Sequence, residues 1–221
     1  MSFTGGSDGA TPICSLIADA NGDLFGTTRD GANGVGTVFE LVKSGSTYTL
    51  NTLVTFTGNN GGQSVSGVIA DANGDLFGTT QANTVFELVK SGSTYTLNTL
   101  VSFIGSNGAG PAATLLADAN GDLFGTTSDG GANGNFGTVF ELVKSGSTYT
   151  LNTLASFSGS NGANPTNSLI ADANGDLFGT TQRGGANNEG TVFELVKTGS
   201  TYTLTTLVAS AAAMESCRLA A

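Results

Sequence analysis

One eleven-residue sequence, ADANGDLFGTT, occurs four times in the chain. The copies start at Ala18, Ala70, Ala117 and Ala171, and each is followed by TVFELVK, a short turn and TYTL. Repeats of about 50 residues that each contain several short strands are typical of radial or stacked repeat proteins. The repetition therefore constrains the architecture of the chain more than its chemistry.

Composition narrows the class of protein and its partners. The chain has 34 glycines, 3 prolines and 38% apolar residues, too apolar for a disordered chain and too rich in glycine for a helical one. Its net charge is −10, and the 7 basic residues form no stripe that could follow a phosphate backbone. No apolar stretch approaches the ~20 residues of a membrane span. We therefore expect no nucleic-acid partner and no membrane insertion.

A single repeat is predicted to form four antiparallel strands. In the first unit the strand-like segments are 15–19, 23–28, 37–43 and 47–56, rich in β-branched and aromatic residues. Asn21-Gly22 lies between the first two, and such a pair predicts a type I′ hairpin turn with positive φ at both residues. The unit thus has the strand order of an up-and-down sheet.

The third strand is apolar on both faces. Val38 and Val42 alternate with Phe39 and Leu41, so the sheet must be covered on both sides. Four-stranded sheets packed around an axis satisfy this requirement. The sequence predicts an all-β fold, a β-propeller of four four-stranded antiparallel blades. The alternatives are an open β-repeat array, or part of a larger ring or filament.

The predicted propeller occupies residues 1–208, followed by a C-terminal tail at 209–221. Its units are about 13–56, 65–103, 112–157 and 166–208 plus 1–3. The last unit ends its fourth strand at Leu207-Val208, and Ser2-Phe3 matches the residues that would follow. We expect the ends to meet either within one molecule or between molecules, the latter giving a homo-oligomer or filament. The first residues lack a basic, apolar leader, so we expect no signal peptide in this chain.

Three motifs resemble a known family. LFGTT at Leu24–Thr28, a glycine-rich spacer such as 130–134, and GTVFEL at 137–142 are similar to the GloVer tandem repeat of bacterial choice-of-anchor surface proteins. The resemblance covers 2–208 and implies a propeller-like repeat protein that is secreted or on the cell surface. It brings no established catalytic residues.

The Asp-x-Asn-Gly-Asp segment has two interpretations. Oxygen-rich clusters suit calcium, but this segment lacks the glycine and bidentate acid positions of an EF-hand-like loop. A hairpin whose Asp side chains bond to the backbone is the preferred interpretation, with no cofactor. Calcium stays as the weaker alternative at Asp19, Asn21 and Asp23, and at their equivalents Asp71, Asn73, Asp75, Asp118, Asn120, Asp122, Asp172, Asn174 and Asp176.

The two cysteines are disulfide candidates. Cys14 and Cys217 are not equivalent positions of the repeat, and a propeller would bring the two ends of the chain together. A bridge there would stabilise the fold by about 4–5 kcal/mol through loop entropy. Two unrelated thiols are the alternative.

The loops that vary between units are the candidate ligand-binding surface. They are the loop between the second and third strands and the linker between units, which an up-and-down blade places on one side. The candidate residues there are Arg29, Asp30, Gln81, Asp129, Gln182, Arg183 and Glu189. Drift in unselected loops is the alternative explanation.

Two other repeated side chains receive simpler interpretations. The lysines that end the third strand (Lys43, Lys90, Lys144 and Lys197) are interpreted as solvated edge charges. The tyrosines that begin the fourth strand (Tyr48, Tyr95, Tyr149 and Tyr202) are interpreted as sheet packing.

The chain is not expected to be an enzyme. It has no histidine, no paired nucleophile and base, and its acids are distributed among turns. The leading hypothesis is a non-catalytic extracellular structural or adhesive repeat protein that self-assembles through its ends. The alternative is a carbohydrate-binding, lectin-like propeller that uses the variable-loop face, with glycans as partners.

Overall fold

The computed structural model describes residues 2–31, 34–111 and 113–209, and in this part of the chain the regular structure consists of strands that form four sheets. We call each sheet a blade. The first blade contains β1 (Ile17–Ala18), β2 (Leu24–Thr28), β3 (Thr37–Ser44) and β4 (Thr47–Thr55); the second contains β5 (Ile69–Ala70), β6 (Leu76–Thr80), β7 (Thr84–Ser91) and β8 (Thr94–Ser102). The third contains β9 (Ala109–Pro111), β10 (Leu116–Ala117), β11 (Leu123–Asp129), β12 (Thr138–Ser145) and β13 (Thr148–Ser156); the fourth contains β14 (Ile170–Ala171), β15 (Leu177–Thr181), β16 (Thr191–Thr198) and β17 (Thr201–Ala209).

Within each blade, neighbouring strands are antiparallel and follow the order of the chain. The predicted four-stranded, up-and-down blade is therefore confirmed. β9 was not predicted; it pairs with β11 on the far side from β12, through Thr127↔Pro111 and Asp129↔Ala109. Isolated bridges at the same place in the first and fourth blades, Ala10↔Asp30 and Ala163↔Arg183, show that the linker pairs with the variable loop there too.

The hairpin turn differs from the type I′ prediction. In the first blade the Gly22 amide donates to the Asp19 carbonyl at 3.1 Å, so the turn is centred on Ala20 and Asn21. Only Gly22 has a positive φ (83°). A turn without positive φ at its centre, followed by a left-handed glycine, is the three-residue hairpin with a G1-type bulge. The Asn-Gly pair thus lies one position later in the turn than predicted.

Every blade has a register shift in the same place. In the first blade Val38 pairs with Val54 and Phe39 pairs with Thr52, so Leu53 is an extra residue in β4. The shift recurs in the other blades at Val85/Phe86, Val139/Phe140 and Val192/Phe193. Because a bulge turns its strand locally, Leu53 and Val54 both pack against the same apolar cluster.

The chain divides into two compact units. Unit 1 comprises Met1–Ser102 and Ala112–Leu115 and holds the first two blades; unit 2 comprises Phe103–Pro111 and Leu116–Ala221 and holds the other two. The core of unit 1 lies between its blades and contains Phe25, Val38, Phe56, Val68, Leu76, Phe86 and Leu88. The core of unit 2 uses nearly the same positions, namely Phe124, Val139, Phe157, Leu169, Leu177, Phe193 and Leu195.

Aromatic contacts join the linkers to the blades that follow them. Phe56, just after β4, packs edge-on against Phe86 at 5.3 Å between ring centroids, and Phe157 packs in the same way against Phe193 at 5.1 Å. Four-stranded antiparallel sheets packed face to face are the blades of a β-propeller, so the predicted fold class is confirmed. Closure of four blades into a ring, and the division into a 1–208 domain and a tail, stay predictions. Among the described residues there is no helix of the length and apolar character that a membrane span requires.

Candidate functional site: a cleft between paired blades

A cleft of about 380 Å³ opens between the two blades of unit 1. One wall is the first-blade hairpin, with Ile17, Asp19 and Phe25, and the other is the second-blade hairpin at 70–74. Lys90 and Tyr95 come from β7 and β8 of the second blade and complete the lining. We call this space the inter-blade cleft.

Lys90 and Tyr95 form a cation–π pair in this cleft. The Lys90 Nζ lies 5.7 Å from the centroid of the Tyr95 ring. The Tyr95 hydroxyl oxygen is buried and makes no well-formed hydrogen bond, and the Lys90 ammonium is its polar neighbour. Burial raises the pKa of the Tyr95 phenol, an effect that the Lys90 ammonium partly opposes. The hydroxyl therefore stays protonated at neutral pH and keeps both a donor and an acceptor.

The aspartates of the cleft also hold their hairpins together. Asp19 Oδ1 accepts hydrogen bonds from the backbone amides of Asn21 and Asp23, both at 2.9 Å. The Asp23 Oδ1 accepts the Lys43 backbone amide at 2.6 Å, which ties the turn to the end of β3. The same three bonds recur in all four blades. The predicted Asp-to-backbone hairpin is thus present.

Unit 2 contains a narrower copy of the cleft, of about 80 Å³. Every lining residue occupies the repeat position of a residue that lines the unit 1 cleft: Leu116, Ala117, Asp118, Phe124, Ala171, Gly175, Leu177, Lys197 and Tyr202. Lys197 Nζ lies 5.6 Å from the Tyr202 ring centroid, and the Tyr202 hydroxyl raises the pKa of Lys197. The lysine–tyrosine cleft is therefore a property of the repeat.

The sequence-predicted site residues lie in loops that pair with the linkers. In unit 1, Arg29 donates two hydrogen bonds to Asp30 Oδ2 at 3.0 and 3.1 Å, and these lower the pKa of the half-buried Asp30 carboxyl. The backbone amide of Gln81 lies 3.5 Å from the Gln63 carbonyl. Hydrogen bonds therefore order these loops, but their role in binding stays a prediction.

In unit 2 the candidate loop residues lie in two blades. Asp129 ends β11, and its carboxylate accepts hydrogen bonds from Ser128, Asn135 and Asn164. Arg183 exchanges backbone hydrogen bonds with Ala163, and the Gln182 Nε2 donates to Thr166 Oγ1 at 2.8 Å. Glu189 is exposed. The Asn164 bond joins the third blade to the linker of the fourth, whereas the bonds of Arg183 and Gln182 stay inside the fourth blade.

The remaining site predictions are not resolved by the fold. Cys14 is half-buried, and burial raises the pKa of its thiol. Cys217 lies outside the described residues, so the disulfide stays a prediction. In the described part of the chain no group of three or more acids or cysteines has a metal-binding arrangement. Calcium also stays a prediction, and at the hairpins it would compete with the carboxylate-to-backbone bonds.

The sequence did not reveal the cleft because it joins different repeats. Asp19 and Tyr95 are 76 positions apart, and the local sequence predicts a turn role for the first and a sheet-packing role for the second. One signal in the sequence could have indicated the cleft. In all four units a Lys and a Tyr lie on either side of the turn that joins the third and fourth strands, and Lys90 is the cross-strand partner of Tyr95. Cross-strand neighbours on one face are close enough to form a joint site.

Solved structures with a similar fold include a candidate 6-phosphogluconolactonase from Bacteroides uniformis, with a TM-score of 0.58 and 16% identity over 91% of this chain and 57% of that protein. An α-L-arabinanase from Penicillium chrysogenum, complexed with arabinobiose, has a TM-score of 0.54 and 14% identity over 88% and 66%. An essential surface component of the type-IX secretion system of Porphyromonas gingivalis has a TM-score of 0.54 and 18% identity over 88% and 27%. This chain thus spans between about a quarter and two thirds of their lengths. Among curated proteins, none matches its sequence significantly.

These likenesses correct the leading functional hypothesis. A non-catalytic structural or adhesive protein is the wrong first choice, because the similar structures include an arabinanase, a further glycoside hydrolase and a candidate lactonase. The carbohydrate-binding alternative agrees better with them. At identities of 13–18% they establish the fold and carry no residue roles. The expectation that the chain is not an enzyme stays a prediction. The enzymes among the similar structures argue against it only weakly, because their identities to this chain are low.

The family of the chain rests on its sequence. Residues 82–220 match the Gloeobacter/Verrucomicrobia repeat, which confirms the resemblance seen in the LFGTT and GTVFEL motifs. The match covers more than half of the chain and includes the last two strands of the second blade and unit 2 as far as residue 220. The chain belongs to the Gloeobacter/Verrucomicrobia repeat family.

Proposed function

We propose that this chain is a carbohydrate-binding propeller protein and that uncharged sugars bind in the inter-blade cleft. The observation that carries the proposal is the Tyr95 hydroxyl, which is buried at the cleft without a well-formed hydrogen bond and has the Lys90 ammonium as its polar neighbour. A sugar hydroxyl can satisfy such a group, since it both donates and accepts hydrogen bonds. The volume of about 380 Å³ lies within the usual range of small-molecule sites.

The charges in the cleft favour a neutral ligand. Asp19 and Asp71 line it together with Lys90, so both signs of charge are present. The net charge of −10 also lowers the local concentration of anions. Sugars offer apolar C–H faces to Ile17, Ala18 and Ala70 as well as hydroxyls to the polar groups. Pentose and hexose oligosaccharides are therefore the ligand class.

The cleft is a better sugar site than the variable-loop face. Arg29 and Asp30 satisfy each other, and Gln182 bonds to Thr166. A ligand would have to break those bonds, whereas the Tyr95 hydroxyl has no well-formed hydrogen bond to lose on binding. The proposed location is secreted or cell surface, supported by the family resemblance and by the likeness to a bacterial surface component.

The test is a glycan array followed by calorimetry with the bound neutral oligosaccharides, arabino-oligosaccharides included. Tyr95→Phe keeps the ring and removes the hydroxyl, so affinity should fall about 5- to 10-fold, the equivalent of one hydrogen bond. Lys90→Met should also weaken binding. Tyr48→Phe is the matched control, because Tyr48 occupies the same repeat position and lines neither cleft.

Two outcomes would contradict the cleft assignment. The first is a sugar affinity that Tyr95→Phe leaves unchanged while Arg29→Ala or Gln182→Ala lowers it, which would place the site on the variable loops. The second is no binding to any neutral glycan, which would contradict the proposed function as a whole. Release of reducing sugar from the bound oligosaccharides would show catalysis in addition to binding.

A further inference from the structure

The four blades have almost the same residues but not the same burial. We call the face that carries Leu16, Leu24, Phe39 and Leu41 in the first blade the leucine face. Residues at the position of Leu16 in the other blades are 4% exposed or less, whereas Leu16 is 47% exposed. Those other residues are Val68, Leu115 and Leu169. Leu24 and Leu41 are half-buried, and Phe3 covers Phe39 at 5.0 Å between ring centroids, so the leucine face of the first blade is uncovered around Leu16.

The opposite face is uncovered in the fourth blade. We call it the valine face; in the first blade it carries Ile17, Phe25 and Val38, and the bulge adds Leu53 and Val54. Val38, Val85 and Val139 are fully buried, whereas Val192 is 38% exposed. Three further residues of this fourth-blade face are also exposed, namely Ile170, Leu207 and Val208.

The interior of each unit shows what a valine face binds. In unit 1 the valine face of the first blade packs against Val68, Leu76, Phe86 and Leu88, which belong to the leucine face of the second blade. In unit 2 the third blade packs against the fourth through equivalent residues. A valine face is therefore complementary in shape and apolar character to a leucine face of the same repeat.

The charges of the two faces are complementary as well. In unit 2 the Tyr202 hydroxyl has the largest effect on the pKa of Lys197, and the carboxylates of Asp118 and Glu141, on the valine side, raise it further by smaller attractions to this ammonium on the leucine side. The uncovered faces carry the equivalent charges, with Asp172 and Glu194 on the fourth blade and Lys43 on the first. The same pairing is thus available to them.

We propose that the valine face of the fourth blade binds the leucine face of the first blade of a second copy of this chain. The two surfaces are different, so the contact is heterologous and each copy has one surface of each kind. The bound faces remove exposed Leu, Ile and Val side chains from water. This contact is independent of the sugar proposal and implies no structural or adhesive role.

The test is sedimentation velocity and light scattering of the full chain over a wide range of concentration. The proposal expects the mass to rise above the 22.0 kDa of one chain as concentration increases. Leu16→Asp and Val192→Asp should each weaken association by at least about 100-fold, because the contact would bury an unpaired carboxylate. Both side chains are exposed, so the fold should tolerate these changes. Ile104→Asp is the matched control, since Ile104 is 78% exposed in the linker after β8 and belongs to neither face.

Mixing the two variants tests which surfaces meet. Leu16→Asp keeps the fourth-blade surface and Val192→Asp keeps the first-blade surface, so the mixture should form a dimer and nothing larger. A single-chain mass at every concentration, or masses that neither substitution changes, would overturn the proposal. Dimers formed by Leu16→Asp alone would also overturn it, because they would show a contact between identical surfaces.

Discussion

At the scale of single residues, Gly78 shows why each second strand of a blade keeps a glycine. Gly78 pairs with Phe86 across β6 and β7, and the Phe86 ring lies over it. A Cβ at Gly78 would lie 2.6 Å from Phe86 Cζ and 3.3 Å from Val68 Cγ1. The ring is fully buried and cannot move aside without disturbing the core. The equivalent glycines Gly26 and Gly179 meet Phe39 and Phe193 in the same way.

We therefore expect Gly78→Ala to destabilise the protein by about 1–3 kcal/mol through overpacking. Urea unfolding followed by fluorescence or circular dichroism would measure the change. Gly6→Ala is the control, because its added Cβ would meet nothing closer than 3.4 Å and the residue is exposed. That variant should differ from the parent by less than about 0.5 kcal/mol. Equal effects of the two substitutions would refute the packing explanation.

At the scale of the structural element, one carboxylate connects the hairpin to the third strand. Asp75 Oδ1 accepts the backbone amide of Lys90 at 2.6 Å, and its own amide donates to Asp71 Oδ1 at 3.0 Å. The hairpin and the end of β7 are thus fixed by side-chain bonds as well as by the strand ladder. The inter-blade cleft depends on this element, because Lys90 and Asp71 both line it.

Replacement of Asp75 separates charge from hydrogen bonding. Asp75→Ala leaves the partly buried Lys90 amide without its acceptor, so we expect a loss of about 1–3 kcal/mol in the free energy of unfolding. Asp75→Asn keeps an Oδ1 acceptor and should lose less than half as much. Chemical unfolding measures both, and hydrogen exchange at Lys90 should speed up in the alanine variant only. An alanine variant as stable as the parent would mean that the bond contributes nothing net.

Among the structural elements, the strands of each blade can be predicted from the sequence, whereas β9 and the exact hairpin turn cannot. The four strands of each blade follow from residue type and spacing, because runs of β-branched residues bounded by Gly-Ser and Asn-Gly turns favour strands over helices. The strand β9 could not be predicted, since Ala109–Pro111 has no alternating pattern and gains strand structure only by pairing with β11. The turn lies one residue away from the predicted position because Asn-Gly fits two hairpin geometries, which differ in the sign of φ at Asn21.

The candidate site was less predictable than the fold. A local pattern assigns Lys90 to a strand edge and Tyr95 to a sheet surface, and both assignments describe their own blade correctly. The cleft arises only where a second blade brings its hairpin against them, which is a tertiary contact between repeats. Similarly, identical repeats conceal which copies are uncovered, so Leu16 and Val192 could not be distinguished from their equivalents without their surroundings.

At the scale of the whole molecule, charge separates the two proposals. The chain has 17 acidic and 7 basic residues, so two copies repel each other. The proposed contact between copies is mainly apolar, and its exposed ion pairs contribute at most about 1 kcal/mol each. Net repulsion between copies extends over about 30 Å at 10 mM salt and only about 8 Å at 150 mM. Salt should therefore strengthen association between copies.

We expect the association constant between copies to rise several-fold between about 10 and 150 mM sodium chloride, because salt screens their mutual repulsion. The affinity for a neutral sugar should change by less than about 2-fold over the same range, because the ligand carries no charge. Sedimentation and calorimetry on the same samples would measure both. Val192→Asp is the control for association and should remain a single chain at either salt concentration. Association that weakens as salt rises would show that ion pairs such as Lys43 with Asp172 or Glu194, rather than the apolar faces, hold the copies together. Sugar affinity that falls steeply with salt would instead point to a charged ligand and contradict the assignment of neutral sugars to the cleft.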